Sequence, residues 1–319
     1  MQLLVVPHSH VHRDEANLWS GYGGRDDEGL NEFIRKVSNG KKYKPHRAIV
    51  RTQMLKAFTS FAAGDASEYV IERAESIAKE IDDWDDYTRI ELHRHENHSD
   101  LQRISKDILT ENLLRDFDLW RESKSSFNED FKEFIRQCVS DYWNTFISCF
   151  NKFQAGDYMA MIDGPVVPLT IKNLLDASIE NYPAEDEYEK VSRFLISRHL
   201  EKTPYHHISC SIFAAVKDQV KKGSHTNTDK ARAAFSGLYF DILHIAPHAP
   251  YCDAIFVDKA MAHLLNDRRV GLYATYNTKI FSMSNVNEFE IWLQDIESSV
   301  SSAMKSALTD AYPSLFNSD

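Results

Sequence analysis

Between residues 47 and 222, apolar residues recur at spacings of three and four along most of the chain. That is the period of helices with one buried face. One such stretch runs through Tyr69, Ile71, Ala74, Ile77 and Ile81, and another through Phe131, Phe134, Ile135, Cys138 and Tyr142. Gly156, Gly164, Pro165 and Pro168 interrupt the region within AGDYMAMIDGPVVP, and a further helix is expected to start after Pro204, at Tyr205, His206 and His207. Ahead of it, Leu3 to Val6 is a short apolar run ended by Pro7, which predicts a buried strand of a parallel sheet. HSHVHRDEANLW then predicts a helix with Ser9 near its start. A second helix is expected over Asp26 to Ser38, with Leu30, Phe33, Ile34 and Val37 on one face and Asn39-Gly40 as its stop.

The last third reads differently. A helix is expected from about Asp229 to Ala246, ended near Pro247 and Pro250. Three short runs follow, Ala254 to Val257, Val270 to Tyr273 and Lys279 to Met283, each strand-like in its β-branched and aromatic content. Two helices, Val286 to Ile296 and Val300 to Ala311, close the pattern. With Leu3 to Val6, this predicts an α/β fold: a parallel sheet carrying a large all-helical insertion. The expected divisions are an N-terminal part of the α/β domain at residues 1–60, the insertion at 61–225, and a C-terminal part at 226–319.

Composition narrows the class without changing this picture. Of 319 residues, 43% are hydrophobic and 27% charged, which is globular rather than disordered composition. A net charge of -11 argues against coating nucleic acid by bulk electrostatics, though local basic clusters remain compatible with it. Cys138, Cys149, Cys210 and Cys252 form no CxxC pair, as expected of reduced thiols in a cytoplasmic protein. No window is long and apolar enough for a membrane span, and the first apolar run is too short for a signal peptide.

Chemistry concentrates in FDILHIAPHAPYCDAIFVDKAMAHLL, residues 240 to 265. Asp241 and His244 stand three apart on an expected helix and so share a face. Asp253 immediately precedes the run AIFV and Asp258 immediately follows it. Open α/β sheets place ligand sites at the carboxyl ends of strands, where Asp258 would sit with Lys259 beside it. Mg²⁺ or Mn²⁺ takes hard oxygen ligands, and converging carboxylates would hold such an ion to activate water. Each aspartate also has a plainer reading as a helix cap or turn former, Asp253 above all.

The runs Asp241-Ile-Leu-His244, Pro250-Tyr251-Cys252-Asp253 and Val257-Asp258-Lys259 resemble the C-terminal signature of bacterial PIN-like proteins. The run from Pro7 to Glu15 is similar to the family segment that carries its second acidic residue. The resemblance covers roughly the first 60 and last 110 residues. It implies a PIN-like sheet and divalent-metal-dependent cleavage of RNA. Glu15, Asp241 and Asp258 would then be catalytic metal ligands, Asp253 would assist, and Ser9, His12, His244 and Lys259 would contact substrate. The family's opening strand and its aspartate have no counterpart in this chain, and Asp14 or Asp163 would be the substitutes. A catalytically inactive relative, binding RNA, a protein partner or an inhibitor, is the alternative.

A third reading rests on His8, His10 and His12, because His-x-His after a first strand supplies zinc ligands in barrel-type hydrolases. His93, His95 and His98 sit among charged residues and are expected on a solvated helix face. Neither GxGxxG nor GxxxxGK[ST] occurs. Lys41, Lys42, Lys44, His46, Arg47 and Arg51 form a basic stretch, for which a solvated loop is the ordinary explanation and a phosphate-backbone contact the functional one.

Overall fold

The computed structural model describes residues 4–9, 27–78, 98–158, 166–181, 186–225 and 227–311. The expected helical middle is present. Helix α1 (Asp27–Ser38) stops at Asn39 and Gly40, both in the left-handed region, with φ of 48° and 71°. Next come α2 (His46–Ala63), α3 (His98–Arg115), α4 (Phe117–Glu122) and the long α5 (Phe127–Gln154). A capping box opens α5: Ser126 Oγ accepts from the Glu129 amide, and the Glu129 carboxylate accepts from the Ser126 amide. These bonds satisfy amides that the first helical turn leaves without partners. Helices α6 (Val166–Asn181), α7 (Glu187–Leu195), α8 (Arg198–Glu201) and α9 (Pro204–Lys221) complete the middle, with Pro204 in the first turn of α9 as expected.

Two apolar cores hold these helices. Phe58, Leu174, Ile171, Phe194 and Leu200 join α2 to α6, α7 and α8, with Phe58 edge-on to Phe194 at 5.3 Å. The second core gathers Phe117, Trp120, Ile212, Phe235, Ile242 and Leu265 from α4, α9 and the helices that follow. Tyr205 packs against both. At the seam, Gln53 donates to the Tyr251 hydroxyl at 3.2 Å and accepts from the Tyr205 amide at 2.9 Å. No buried polar group of this bridge is left without a partner, as a buried amide side chain requires.

The expected PIN-like α/β architecture is not what the chain adopts. Among the described residues the sheet is two short parallel strands, β1 (Ala254–Phe256) and β2 (Lys279–Phe281), paired Ala254↔Lys279, Ile255↔Ile280 and Phe256↔Phe281. The protein is mostly helical. Residues 4–6 form no strand, and Val5 and Val6 are 69% and 42% exposed; an apolar run with no ladder partner cannot bury both faces. The run from Val270 to Tyr273 turns at Gly271, φ 67°, into α13 (Leu272–Tyr276). A short apolar run is ambiguous in period, and here the glycine decides it.

Other differences follow from local chemistry. The expected helix from Asp229 to Ala246 is split into α10 (Thr228–Phe235) and α11 (Leu238–His248) by Gly237, φ 96°. The helical spacing from Tyr69 to Ile77 gives only a 3₁₀ turn, Arg73–Glu75, and Ile77 bridges Tyr43 instead. Helix α12 (Lys259–Leu265) follows β1, and α14 (Val286–Ser299) and α15 (Ser302–Ala311) match the expected closing pair.

Candidate functional site

Residues from four distant parts of the chain meet at the start of the described structure. His8 pairs with the 41–44 segment: its amide donates to the Lys41 carbonyl at 3.1 Å, and the Tyr43 amide donates to the His8 carbonyl at 2.9 Å. On the other side, the Lys44 amide donates to the Ser76 carbonyl at 2.8 Å and the Ala78 amide to the Lys42 carbonyl at 3.0 Å. Residues 41–44 are thus pinned between two neighbours, although no pairing is long enough to make a strand. The His8 Nδ1 lies 3.2 Å from Ser38 Oγ and 3.0 Å from the Lys41 carbonyl.

Ser9, next in line, is buried, and its Oγ lies 3.0 Å from His244 Nδ1 on α11, 235 residues away. One turn further along α11, His248 Nδ1 is 2.6 Å from the His244 carbonyl, and the two rings are 5.6 Å apart. Tyr43 closes the corner. Its ring lies 4.4 Å from that of His248, and its hydroxyl is 2.9 Å from Cys252 Sγ, which also donates to the His248 carbonyl at 3.3 Å. Burial, with the neighbouring Cys252, pushes the Tyr43 hydroxyl far above its ordinary range. Burial likewise raises the Cys252 thiol. Both therefore stay neutral near pH 7, and Cys252 lacks the depressed pKa of a reactive nucleophile.

Asp241 stands in the first turn of α11, half-buried, where the helix dipole favours a carboxylate. It precedes His244 by three residues, so the two share a face of α11, as expected from spacing. The other two aspartates do not join it in the expected way. Asp253 lies before β1 and makes a two-pronged ion pair with Arg73, one bond being Arg73 Nη1 to Asp253 Oδ2 at 3.0 Å. Both partners are largely exposed, so the pair adds little to stability. Asp258 lies beyond β1 as the N-cap of α12, its Oδ1 accepting from the Met261 amide at 2.7 Å, with Lys259 exposed beside it. Four residues, Ala254 to Val257, lie between Asp253 and Asp258, so the two are five steps apart, about 16 Å at strand rise. A metal site shared by those two carboxylates is therefore corrected: they sit at opposite ends of one strand.

Glu15 and His12 lie outside the described residues, as do His10, Asp14, Asp163, His93, His95 and the side chain of His98. Among the described residues no three His, Cys, Asp or Glu side chains are grouped as a metal ion would require. Asp241 shares α11 with the imidazoles of His244 and His248, while Asp253 adjoins the Cys252 thiol and is taken up by Arg73. By itself that set does not fit a hard ion such as Mg²⁺ or Mn²⁺.

Tyr43, His248 and Cys252 escape the sequence reading. Nothing in their spacing marks them, because each acquires its place only when residues 8, 43 and 248 come together. The basic stretch is the feature whose reading changes most. Pinned beside His8, it continues into α2, and the positive charge of Arg47 is felt at Tyr239 on α11; Lys41, Arg47 and Arg51 are exposed. Among the described residues no helix is long and apolar enough to cross a membrane. No family model, no curated protein and no solved structure matches the chain.

Proposed function

We propose that the chain binds RNA along the basic stretch from Lys41 to Arg51 and hydrolyses its phosphodiester bonds at the corner built on α11. The observation that carries this reading is the Ser9–His244 contact. It brings Ser9, next to His8, onto the Asp241–His244 turn. The adjoining lysines and arginines give a chain of net charge -11 a local positive surface for phosphates. Asp241 and Glu15 are the carboxylates of this proposal, Glu15 on the family resemblance alone. Asp241 with imidazoles and a thiol does not suit a hard ion, so this reading needs Glu15 as a second carboxylate; Mg²⁺ or Mn²⁺ held by both would then supply water activation. Asp258 serves as a helix cap and Asp253 as the partner of Arg73.

The test uses the full chain with a fluorescent single-stranded RNA. Binding should weaken with salt, and the triple variant Lys41→Ala/Lys44→Ala/Arg51→Ala should lose about tenfold or more in affinity and flatten the salt dependence. Asp241→Asn should keep binding and lose Mn²⁺-dependent cleavage. Intact RNA after incubation with the wild type and either ion would sink the hydrolytic part, and unchanged affinity of the triple variant would sink the binding part.

A second reading, a non-catalytic module that docks a protein partner, is favoured by one observation. Ile147, Phe150 and Phe153 near the end of α5, with Tyr158 beyond it, are between 42% and 68% exposed. A run of exposed aromatic side chains of this kind marks a contact surface.

A further inference from the structure

Cys138 on α5 and Cys210 on α9 face each other across the most extensive helix pair in the protein, with their sulfurs 3.9 Å apart. Neither belongs to the corner described above, and both are free thiols, Cys210 buried and Cys138 partly accessible. Around them stand Tyr142, which accompanies Cys138 on α5 and contacts His206, Asp141, whose charge works against a Cys138 thiolate, and the neutral phenol of Tyr239, close enough to be affected by Cys138.

We infer that Cys138 and Cys210 form a reversible redox pair, in which a peroxide oxidises Cys138 and Cys210 resolves it to a disulfide that locks α5 to α9. The sulfurs must close by less than 2 Å to reach bonding distance, about 2.05 Å. Each sulfur lies within hydrogen-bond reach of the other, so a thiolate formed on one is stabilised by the remaining S–H. Cys138 is the more accessible of the two, so it is the attacking sulfur.

In the first step the Cys138 thiolate attacks one peroxide oxygen and the O–O bond breaks. This leaves a sulfenic acid on Cys138 and a hydroxide that takes up a proton to become water. The Cys210 sulfur then attacks the Cys138 sulfur; its thiol proton leaves with the departing hydroxide as a second water. Two thiols lose two electrons and two protons in all, and one hydrogen peroxide becomes two waters. A dithiol reductant reverses the step by exchange. This inference stands apart from the hydrolytic reading, since neither sulfur touches the corner.

The experiment treats the intact protein with hydrogen peroxide, blocks remaining thiols, and maps linked peptides by mass spectrometry without reduction. The expected result is a Cys138–Cys210 linked peptide that disappears with dithiothreitol. The midpoint of thermal unfolding should rise reversibly by about 5–10 °C, as expected for closing a long loop. Cys210→Ser should instead trap Cys138 as a sulfenic acid that a dimedone probe labels. Over-oxidation of Cys138 with Cys210 still reduced, or linkage through Cys149 or Cys252, would overturn the proposal. Mapping of the wild type decides it even if the variant fails to fold.

Discussion

Lys217 Nζ lies 2.8 Å from Asp130 Oδ1, a salt bridge in which the aspartate side chain is fully buried at the crossing of α9 with the start of α5. Lys221, one turn along α9, reaches the other carboxylate oxygen, and Ser125 Oγ donates to Oδ1 at 2.6 Å. Burial works against the Asp130 charge, but these donors outweigh it and hold the carboxyl below its ordinary range. The group is therefore a buried charge with its partners in place, the arrangement whose rupture is most damaging.

Asp130→Asn should leave Lys217 facing a neutral amide, and Asp130→Ala should cost about 3–5 kcal/mol of stability. Because the folded pKa is depressed, this contribution is present above about pH 4, the ordinary carboxylate value, and is lost as pH falls through the folded value. Urea titrations of wild type and Asp130→Asn at pH 7 and pH 3 should converge at the lower pH. Curves that stay equally far apart would mean the pair does not titrate in that window.

His206 adds a second loss of stability on acidification, in a higher pH window. It is fully buried between Thr203 Oγ1 at 2.6 Å and the Tyr142 hydroxyl at 2.9 Å, and burial pushes its imidazole down to about 3. The unfolded chain takes up a proton near pH 6.5 that the native protein refuses, so stability falls as pH drops from there toward 3. The total is about 5 kcal/mol. His206→Gln should flatten this acid limb, measured as the unfolding midpoint against pH. An unchanged slope would locate the titration elsewhere.

Asp258 separates a cap from a ligand. Asp258→Ala should cost about 1 kcal/mol through loss of the α12 cap, and Asp258→Ser should restore most of it. Calorimetric Mn²⁺ binding should be the same in both variants as in wild type, whereas Asp241→Ala should abolish it. Loss of Mn²⁺ binding in Asp258→Ser would place Asp258 back among the ligands.

Ser9→Ala removes the hydrogen bond to His244 at a cost of about 1 kcal/mol. Hydrogen exchange should quicken at the Tyr43, Lys44 and Ala78 amides, all of which depend on the docked 8–9 and 41–44 segments. Unaltered exchange at those amides would mean the ladder stands without Ser9.

The helices were legible because their period is repeated over many residues, and single glycines account for where they part from expectation, as at Gly237 and Gly271. The sheet was over-read because runs of four apolar residues carry no period of their own. Residues 4–6 look like a buried strand by composition, yet their neighbours in space supply hydrogen bonds only from His8 onward. The site was half legible. Asp241 and His244 stood out by residue type and helical spacing, Ser9 only as an expected helix start and through the family resemblance, and the fold brings Ser9 onto His244. Tyr43, His248 and Cys252 were illegible, since their roles arise from contacts across about 200 residues of chain that no local pattern encodes. Asp258 shows the reverse: a residue marked by position whose local chemistry, capping the next helix, accounts for it.

The pairing of Ser9 with a residue 235 positions later also has a consequence during synthesis. A nascent chain emerging from the ribosome can fold α2 and the helical middle as they appear, but the corner stays open until α11 and Cys252 have cleared the exit tunnel. Any truncated translation product that stops before His244 is thus built without its proposed reactive centre, so the chain gains that capacity only after its helical middle has been made.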